Sequence, residues 1–204
     1  PATLEAITAA RALGNPSEAL TIGEAADPLV AELAAYGTAT VHQVHDPLLS
    51  DYGPEAWGEV LAQAVRALSP AIVLATGTDR GNELLAQAAA RLDEPFSANI
   101  TEFRGGDGFE HTRVRWGGSL LEDATLVAGV KLVTVAHHAV DATPADTPGA
   151  AATAQLPVSL DPSLARSVVK ARVEREAGVT LATAPVVVGG GRGVGSPEGF
   201  APLQ

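Results

Sequence analysis

The sequence predicts an α/β fold: a three-layer parallel sheet with helices on both faces, plus an appended antiparallel meander. Apolar runs of strand length alternate with segments of helical spacing over residues 3–92, a pattern typical of parallel sheets wound by right-handed crossovers. Residues 97–135 then hold four short strand-like runs separated by glycine-rich turns, as in a meander. With 204 residues, 46% of them hydrophobic, the chain can bury a sizeable core.

The first half of the chain supplies the alternation. Residues 3–14 place apolar side chains on one stripe and predict a helix that stops at Gly14, and we expect a strand to precede it. The next predicted elements are a strand at 18–22, a helix opened by an Asp27 N-cap and Pro28 and ending near Gly37, a strand at 38–44, a helix at 54–68, a strand at 70–76 and a helix at about 83–92. The continuously apolar run 70–76 predicts a strand buried on both faces.

The second half changes pattern. The meander runs are predicted at 100–104, 109–115, 120–127 and 130–135, and the last is a candidate to rejoin the parallel sheet. Residues 142–154 predict an exposed connector, residues 167–175 a half-exposed edge strand, and residues 186–188 a buried-type strand. A break at 183–185 predicts a boundary between a domain at 1–183 and the beginning of another at 184–204.

Composition excludes several classes of protein. The chain has no cysteine, which excludes disulfide scaffolds, thiolate metal sites and cysteine nucleophiles and fits a cytoplasmic location. Thirteen basic residues against 24 acidic ones give a net charge of −11, which disfavours nucleic acids and anionic lipid surfaces as partners. No apolar run approaches the roughly 18 residues of a membrane-spanning helix.

The strongest local feature is the glycine-rich segment 186–200, which carries Arg192 between Gly191 and Gly193. Glycines allow backbone N–H groups to approach an anion, and a guanidinium offers a planar set of donors to a phosphate or a flat ring. The segment matches neither the dinucleotide-binding pattern G-x-G-x-x-G nor the Walker A pattern, since Val194 and Ser196 occupy the decisive positions. The residues alone leave a nucleotide or flavin loop and a hinge between domains equally open.

A second candidate is the loop at residues 76–82, between the apolar run 70–76 and the following helix. Ligands bind at this end of parallel strands, so Thr76, Thr78 and the N–H groups of Gly81 and Asn82 form a possible anion site. Ordinary helix capping by Asp79 or Asn82 is the favoured alternative, because every strand–helix connection needs such a loop.

The remaining polar residues predict no chemistry. Two pairs of histidines, His42 with His45 and His137 with His138, point to opposite faces if the chain is extended, and His111 is alone, so structural or solvated histidines are favoured over metal ligands. No serine has the G-x-S-x-G pattern of a hydrolase. The further expectations are a solvated strand edge at Glu122 and Asp123, core packing for Trp57 and hairpin packing for Trp116.

Three segments resemble the alpha subunit of electron transfer flavoprotein: residues 68–92, residues 130–135, and residues 186–200 (VVVGGGRGVGSPEGF). The last is the most specific, being similar to that family's V-V-x-G-G-R-G-x-x-S-x-E-x-F entry into its flavin domain. The order of the segments also matches, and the resemblance extends over essentially the whole chain.

This resemblance implies an electron carrier without an organic substrate of its own. In that family a heterodimer passes electrons from flavin dehydrogenases, such as the acyl-CoA dehydrogenases of fatty acid oxidation, to a membrane quinone oxidoreductase. The alpha subunit binds FAD, which Gly191, Arg192 and Gly193 would contact here, and the beta subunit holds AMP. The family's first strand would precede Pro1 and its other FAD motifs would follow Gln204, so these residues supply one wall of the flavin site.

Two other interpretations are compatible with the same α/β architecture. One is a nucleotide-binding module resembling the universal stress proteins, with AMP or ATP at the loop 76–82. The other is an interaction scaffold that only dimerises with a related subunit. Nucleotide binding by the chain alone would favour the first, and a partner complex without flavin would favour the second.

Overall fold

The computed structural model describes residues 2–14, 16–105, 108–172, 178–181 and 184–203. The chain divides into two compact units, Pro1–Val169 and Lys170–Gln204. The first unit contains helices α1 (Ala2–Ala12), α2 (Val30–Ala35), α3 (Pro54–Leu68) and α4 (Asp79–Leu92), and strands β1 (Glu18–Ile22), β2 (Thr40–Val44), β3 (Ile72–Thr76), β4 (Phe96–Gly105), β5 (Glu110–Arg115), β6 (Leu120–Thr125), β7 (Lys131–Val135) and β8 (Ala152–Gln155). This succession confirms the predicted α/β class. None of the described helices combines the length and the apolar character needed to cross a bilayer.

The strands form two sheets instead of the single parallel sheet that the sequence predicts. One has the order β1-β2-β8 and is parallel throughout. The other has the order β3-β7-β4-β5-β6, in which β3, β7 and β4 are parallel and β4, β5 and β6 are antiparallel. The predicted meander is therefore confirmed, and β7 does rejoin the parallel strands. Within the described residues β1 pairs only with β2 and β3 only with β7, so no strand joins the two sheets.

The most buried strand is β7, and the prediction that β3 is buried on both faces is wrong. All five residues of β3 are only partly buried, because the strand lies at the edge of its sheet. By contrast, Leu132, Val133 and Thr134 of β7 have no exposed area. Apolar content cannot distinguish the two strands, since position in a sheet depends on which neighbours pair.

Helices cover both faces of the five-stranded sheet, which confirms the predicted three layers. Leu132 and Val133 follow one another on β7, so their side chains point to opposite faces. Leu132 packs in a cluster with Leu61 of α3 and Leu85 of α4. Val133 packs in a different cluster with Ala9 of α1. The two apolar faces of this sheet are thus closed by different helices.

Two helices also connect this sheet to the three-stranded one. Val60 of α3 packs with Ile22 of β1, in a cluster separate from the one that holds Leu61. On α1, Ile7 packs against the cluster that contains Val41 of β2. Both sheets of the first unit are therefore covered in part by the same two helices, α1 and α3.

The second helix begins differently from the prediction. Glu24–Leu29 forms a 3-10 helix that contains Pro28, and α2 follows directly from it. Asp27 is not an N-cap. Its carboxylate accepts a hydrogen bond from Gln43 Nε2 at 2.8 Å and lies 3.0 Å from His45 Nε2, so it serves the end of β2 instead.

The predicted connector at 142–154 is wrong at its end, where Ala152–Gln155 forms β8. This strand pairs in parallel with β2, from Thr40 opposite Ala152 to Gln43 opposite Gln155. The segment before it lies against α2, with the Gly149 N–H donating to the Ala34 carbonyl at 2.8 Å. The short sequence Ala-Thr-Ala-Gln has little β propensity, so pairing with β2 decides its conformation.

Two other predicted strands do not form. Residues 167–172 have no strand structure, and Val168 and Val169 are exposed; residues 173–175 of the same prediction lie outside the described residues. Residues 186–188 also form no strand, and their valines are exposed. In the described part of the chain no strand pairs with either segment, and a β-branched run needs a partner to become a strand.

The Thr134 hydroxyl on the central strand links three elements. It donates to the side-chain oxygen of Asn82 on α4 at 2.6 Å and accepts from the backbone N–H of Asn99 on β4 at 2.8 Å. Asn82 also donates to Asn99 Oδ1 at 3.2 Å. Thr134 itself is fully buried, so removing its hydroxyl breaks both hydrogen bonds at a point that water does not reach.

We expect Thr134→Val to lower the free energy of unfolding by about 2 kcal/mol, because it removes two hydrogen bonds to partly buried partners, each worth about 1 kcal/mol, at nearly constant volume. Urea denaturation of the purified protein measures the change. Thr112→Val is the matched control, since the Thr112 hydroxyl binds Asp123 at the surface, and we expect it to change stability by less than about 0.5 kcal/mol. Equal effects of the two variants would contradict this account.

Candidate functional site

The glycine-rich segment lies in the second unit and forms two 3-10 helices, Arg192–Val194 and Pro197–Leu203. The Val194 N–H donates to the Gly191 carbonyl at 3.0 Å, and the Gly195 N–H donates to Arg192 at 3.2 Å. A Cβ on Gly190 would lie 2.5 Å from the ring of Phe200. The segment is therefore folded closely around Phe200, and a side chain at position 190 would require the Phe200 ring to move.

Gly191, Arg192 and Gly193 lie together on the first of these turns and are exposed. Within the described chain, no carboxylate or carbonyl binds the Arg192 guanidinium. Gly191 and Gly193 have open space where a Cβ would be, so a ligand can approach their backbone closely. With Phe200, Arg192 lines an open depression of about 630 Å³. This arrangement offers a planar cation and a ring edge to an anionic or aromatic ligand.

A carboxylate is fixed beside this depression. The Ser196 hydroxyl donates to Glu198, and this hydrogen bond, together with the Glu198 backbone N–H, lowers the pKa of that carboxyl below its ordinary value. Glu198 lies in the first turn of the second 3-10 helix, where a negative charge also suits the free N–H groups. Ser196 and Glu198 are thus linked at the start of the helix that carries Phe200.

The loop at 76–82 caps a helix, which confirms the interpretation that the sequence favours. The capping residue is Thr78, however, and not Asp79 or Asn82. The helix α4 begins at Asp79, four residues before the predicted start at Glu83. Thr78 Oγ1 accepts from the Gly81 N–H at 3.2 Å, and the Thr78 carbonyl accepts from the Asn82 N–H at 2.9 Å. Both N–H groups of the candidate anion site are therefore engaged within the loop.

Close packing also fills the space around this loop. A Cβ on Gly81 would lie 2.0 Å from the Thr76 carbonyl oxygen, and one on Gly77 would lie 2.6 Å from Asn99 Oδ1. The Gly77 N–H donates to the Val135 carbonyl at 2.6 Å. The glycines here serve contacts within the protein, and the loop does not form the phosphate cradle that nucleotide binding would need.

A cleft that the sequence did not indicate lies at the carboxyl ends of β1 and β2. Its volume is about 640 Å³, and its lining includes Gly23, Glu24, His45, Asp46 and Leu49. Two carboxylates beside it make it unsuitable for a phosphate group. Ligands commonly bind at the carboxyl ends of parallel strands. Applying this rule to β1 and β2 would have predicted the cleft from the sequence.

Three histidines are bound as structural residues. His111 is buried, its Nδ1–H donates to the Phe109 carbonyl at 3.0 Å, and its Nε2 accepts from the Ser97 hydroxyl at 2.6 Å. His42 lies 2.6 Å from a Glu18 oxygen, whereas His45 pairs with Asp27. His42 and His45 thus serve different carboxylates, in agreement with the expected divergence.

The prediction that His137 and His138 diverge is wrong. Their ring centroids are 3.8 Å apart, at an interplanar angle of 39°. The expectation assumed an extended chain, but these residues lie in a turn after β7, and His138 has φ +62°, in the left-handed region. A left-handed residue reverses the alternation of side chains, which no pattern in the sequence indicates.

The predictions for two acidic residues and two tryptophans are partly confirmed. Glu122 and Asp123 lie on the exposed edge strand β6; Arg113 binds Glu122 and lowers the pKa of that carboxyl, while Asp123 accepts from Thr112. Trp57 packs against the core and donates to the Asp51 carbonyl at 3.0 Å. Trp116, in contrast, is 81% exposed at the tip of the β5–β6 hairpin, so its predicted packing is wrong.

The comparisons with known proteins bear on this geometry. Residues 1–161 match the electron transfer flavoprotein domain family. The chain belongs to the electron transfer flavoprotein family. It is 30% identical to the electron transfer flavoprotein subunit alpha of Bacillus subtilis, over 99% of this chain and 63% of that protein. It is 34% identical to the subunit of the same name in Mycobacterium tuberculosis strain CDC 1551, over 98% and 62%, and 31% identical to Protein FixB of Azorhizobium caulinodans, over 87% and 49%.

Membership of the electron transfer flavoprotein family confirms the resemblance noted in the sequence. The similarity to the Bacillus and Mycobacterium alpha subunits extends over nearly all of this chain. The chain spans less than two thirds of the length of those curated relatives.

We expect Ser196→Ala to raise the pKa of Glu198 towards the ordinary glutamate value, because the hydroxyl that stabilises the charged form is removed. Since the folded pKa is depressed, this hydrogen bond stabilises the fold at pH values above the unfolded pKa. The stabilisation is lost as the pH falls through the folded pKa. NMR titration of the Glu198 carboxyl measures the shift. Ser119→Ala, in the hairpin turn, is the control; an unchanged Glu198 pKa in Ser196→Ala would show that the hydrogen bond does not form.

Proposed function

We propose that this chain is part of the alpha subunit of an electron transfer flavoprotein, an electron carrier that contributes one wall of an FAD site. Such a carrier would pass electrons from flavin dehydrogenases, such as acyl-CoA dehydrogenases, to a quinone oxidoreductase and would have no organic substrate of its own. The observation that carries the flavin part is the exposed Arg192 guanidinium between Gly191 and Gly193, whose backbone has open space around it.

The residues of the glycine turn fit a flavin nucleotide in their chemistry. Arg192 supplies a fixed positive charge and a planar face, which suits a diphosphate or an isoalloxazine ring. The edge of Phe200 supplies apolar surface in the same depression. FAD supplies the redox chemistry when bound, while Arg192 orients it and stabilises the negative charge that reduction adds nearby.

The proposal includes a partner and a domain boundary. We place the beta subunit beside this chain as the other half of a heterodimer, and AMP on that subunit. The exposed apolar side chains of the β5–β6 hairpin, Trp116, Leu120 and Leu121, support a surface that another chain covers. We further propose the domains 1–183 and 184–204 of the sequence prediction, and a cytoplasmic location.

In the complete heterodimer, Arg192→Ala should weaken FAD binding by about 10- to 100-fold or lower the potential of its first reduction step, because a charge-assisted contact is lost. Equilibrium dialysis of FAD and potentiometry measure the two effects. Arg192→Lys should keep the potential closer to the wild-type value than it keeps the FAD affinity, since it retains the charge and loses the planar donor set.

Arg104→Ala is the matched control, because Arg104 is an exposed arginine that pairs with Glu110 on the meander. We expect it to leave both flavin affinity and potential unchanged. If Arg192→Ala also changes neither, the guanidinium does not contact the flavin.

Calorimetry should show no tight binding of AMP or ATP to this chain without its partner. The N–H groups of Gly81 and Asn82 already donate to Thr78, so these two donors of the loop at 76–82 are not available to a phosphate. Tight, saturable AMP binding that Thr78→Ala abolishes would instead favour a nucleotide-binding module.

A further inference from the structure

Glu5 and the two adjacent histidines form a cluster of metal-ligating side chains outside the flavin site. Glu5 lies in the first turn of α1, whereas His137 and His138 follow β7, more than a hundred residues later. One donor atom from each of the three residues lies within 4.8 Å of the others. His138 Nδ1 is 3.4 Å from Glu5 Oε1. The fold thus brings two nitrogen donors and one oxygen donor together.

The backbone holds Glu5 and His138 in place. The Glu5 Oε2 atom accepts the backbone N–H of His138 at 3.0 Å, which fixes both the carboxylate and the turn. The left-handed conformation of His138 places its ring beside that of His137, with 3.8 Å between centroids. Two donors that the chain itself supports, with a third ring beside them, meet the first requirement of a built metal site.

The burial of the carboxylate favours a cation at this point. Glu5 is 7% exposed, although a glutamate is rarely buried without a charged or metal partner. Within the described residues, no lysine or arginine forms an ion pair with it, and its partners are the N–H and the ring of His138. A divalent ion shared with the two imidazoles would neutralise this buried charge.

We propose that Glu5, His137 and His138 bind a Zn²⁺ ion, with water as the fourth ligand. Two imidazole nitrogens and one carboxylate form a donor set typical of zinc, and they do not suit Ca²⁺ or Mg²⁺, which prefer oxygen ligands. Ligands of tetrahedral zinc are about 3.4 Å apart, given zinc–ligand bonds of about 2.0–2.1 Å. The distance between His138 Nδ1 and Glu5 Oε1 already has this value.

The open side of the cluster provides the entry path. Both histidines are exposed, and the His138 side chain is 77% exposed, so an ion can reach the site from solvent and retain a water. The His137 side chain is on the surface, so its ring is free to turn towards a bound ion. The bound ion would join α1 to the segment that leaves the central strand β7.

Calorimetric titration of the tag-free protein with Zn²⁺ tests the proposal. We expect one ion per chain, and the variants His137→Ala, His138→Asn and Glu5→Gln should each weaken binding by at least about 10-fold. Asparagine tolerates the left-handed conformation at 138, and glutamine retains an acceptor for the His138 N–H, so both variants preserve the turn. Co²⁺ substitution should give visible absorption bands that the same variants remove.

His42→Asn is the matched control, since His42 pairs with a single carboxylate, Glu18, and has no second histidine. We expect it to leave Zn²⁺ affinity and stoichiometry unchanged. The proposal is overturned if the protein binds no stoichiometric Zn²⁺, if His42→Asn weakens binding as much as His137→Ala, or if folded variants of the cluster bind like the wild type. Circular dichroism of each variant establishes that it is folded.

Discussion

The architecture depends on the position of one strand, β7, and on the hydroxyl at its centre. Thr134 has no exposed area and joins β7 to α4 through Asn82 and to β4 through the N–H of Asn99. The strand separates two apolar clusters, and helices on each side bury one of them. A polar atom in such a place is tolerated because each of its hydrogen bonds is made, and it then fixes the register of its neighbours.

Much of this fold could be predicted because local patterns and final contacts agree. The bounds of β1 and α3 match the prediction, and glycine turns located the meander. The errors arise where pairing decides the outcome: the weakly apolar β8 became a strand beside β2, whereas the three valines at 186–188 did not. Strand formation depends on a partner, and a sequence does not state which partner is present.

The candidate sites could also be predicted only where a short segment of sequence determines them. Arg192 could be found from its glycine setting and from the family resemblance, since both are properties of a short segment. The capping role of Thr78 was assigned to its neighbours, because the helix starts earlier than its apolar spacing suggests. The meeting of Glu5 with His138 could not be predicted, because it depends on one left-handed residue and on packing between distant segments.

Because α1 and α3 pack against both sheets, the two sheets of the first unit are expected to unfold together. Neither sheet can lose these helices without exposing apolar surface on the other, since Ile7 and Val60 pack in clusters of the three-stranded sheet while Ala9 and Leu61 pack in clusters of the five-stranded sheet. Partial unfolding of a single sheet is therefore costly, and the two cores behave as one cooperative unit despite their separate backbone ladders.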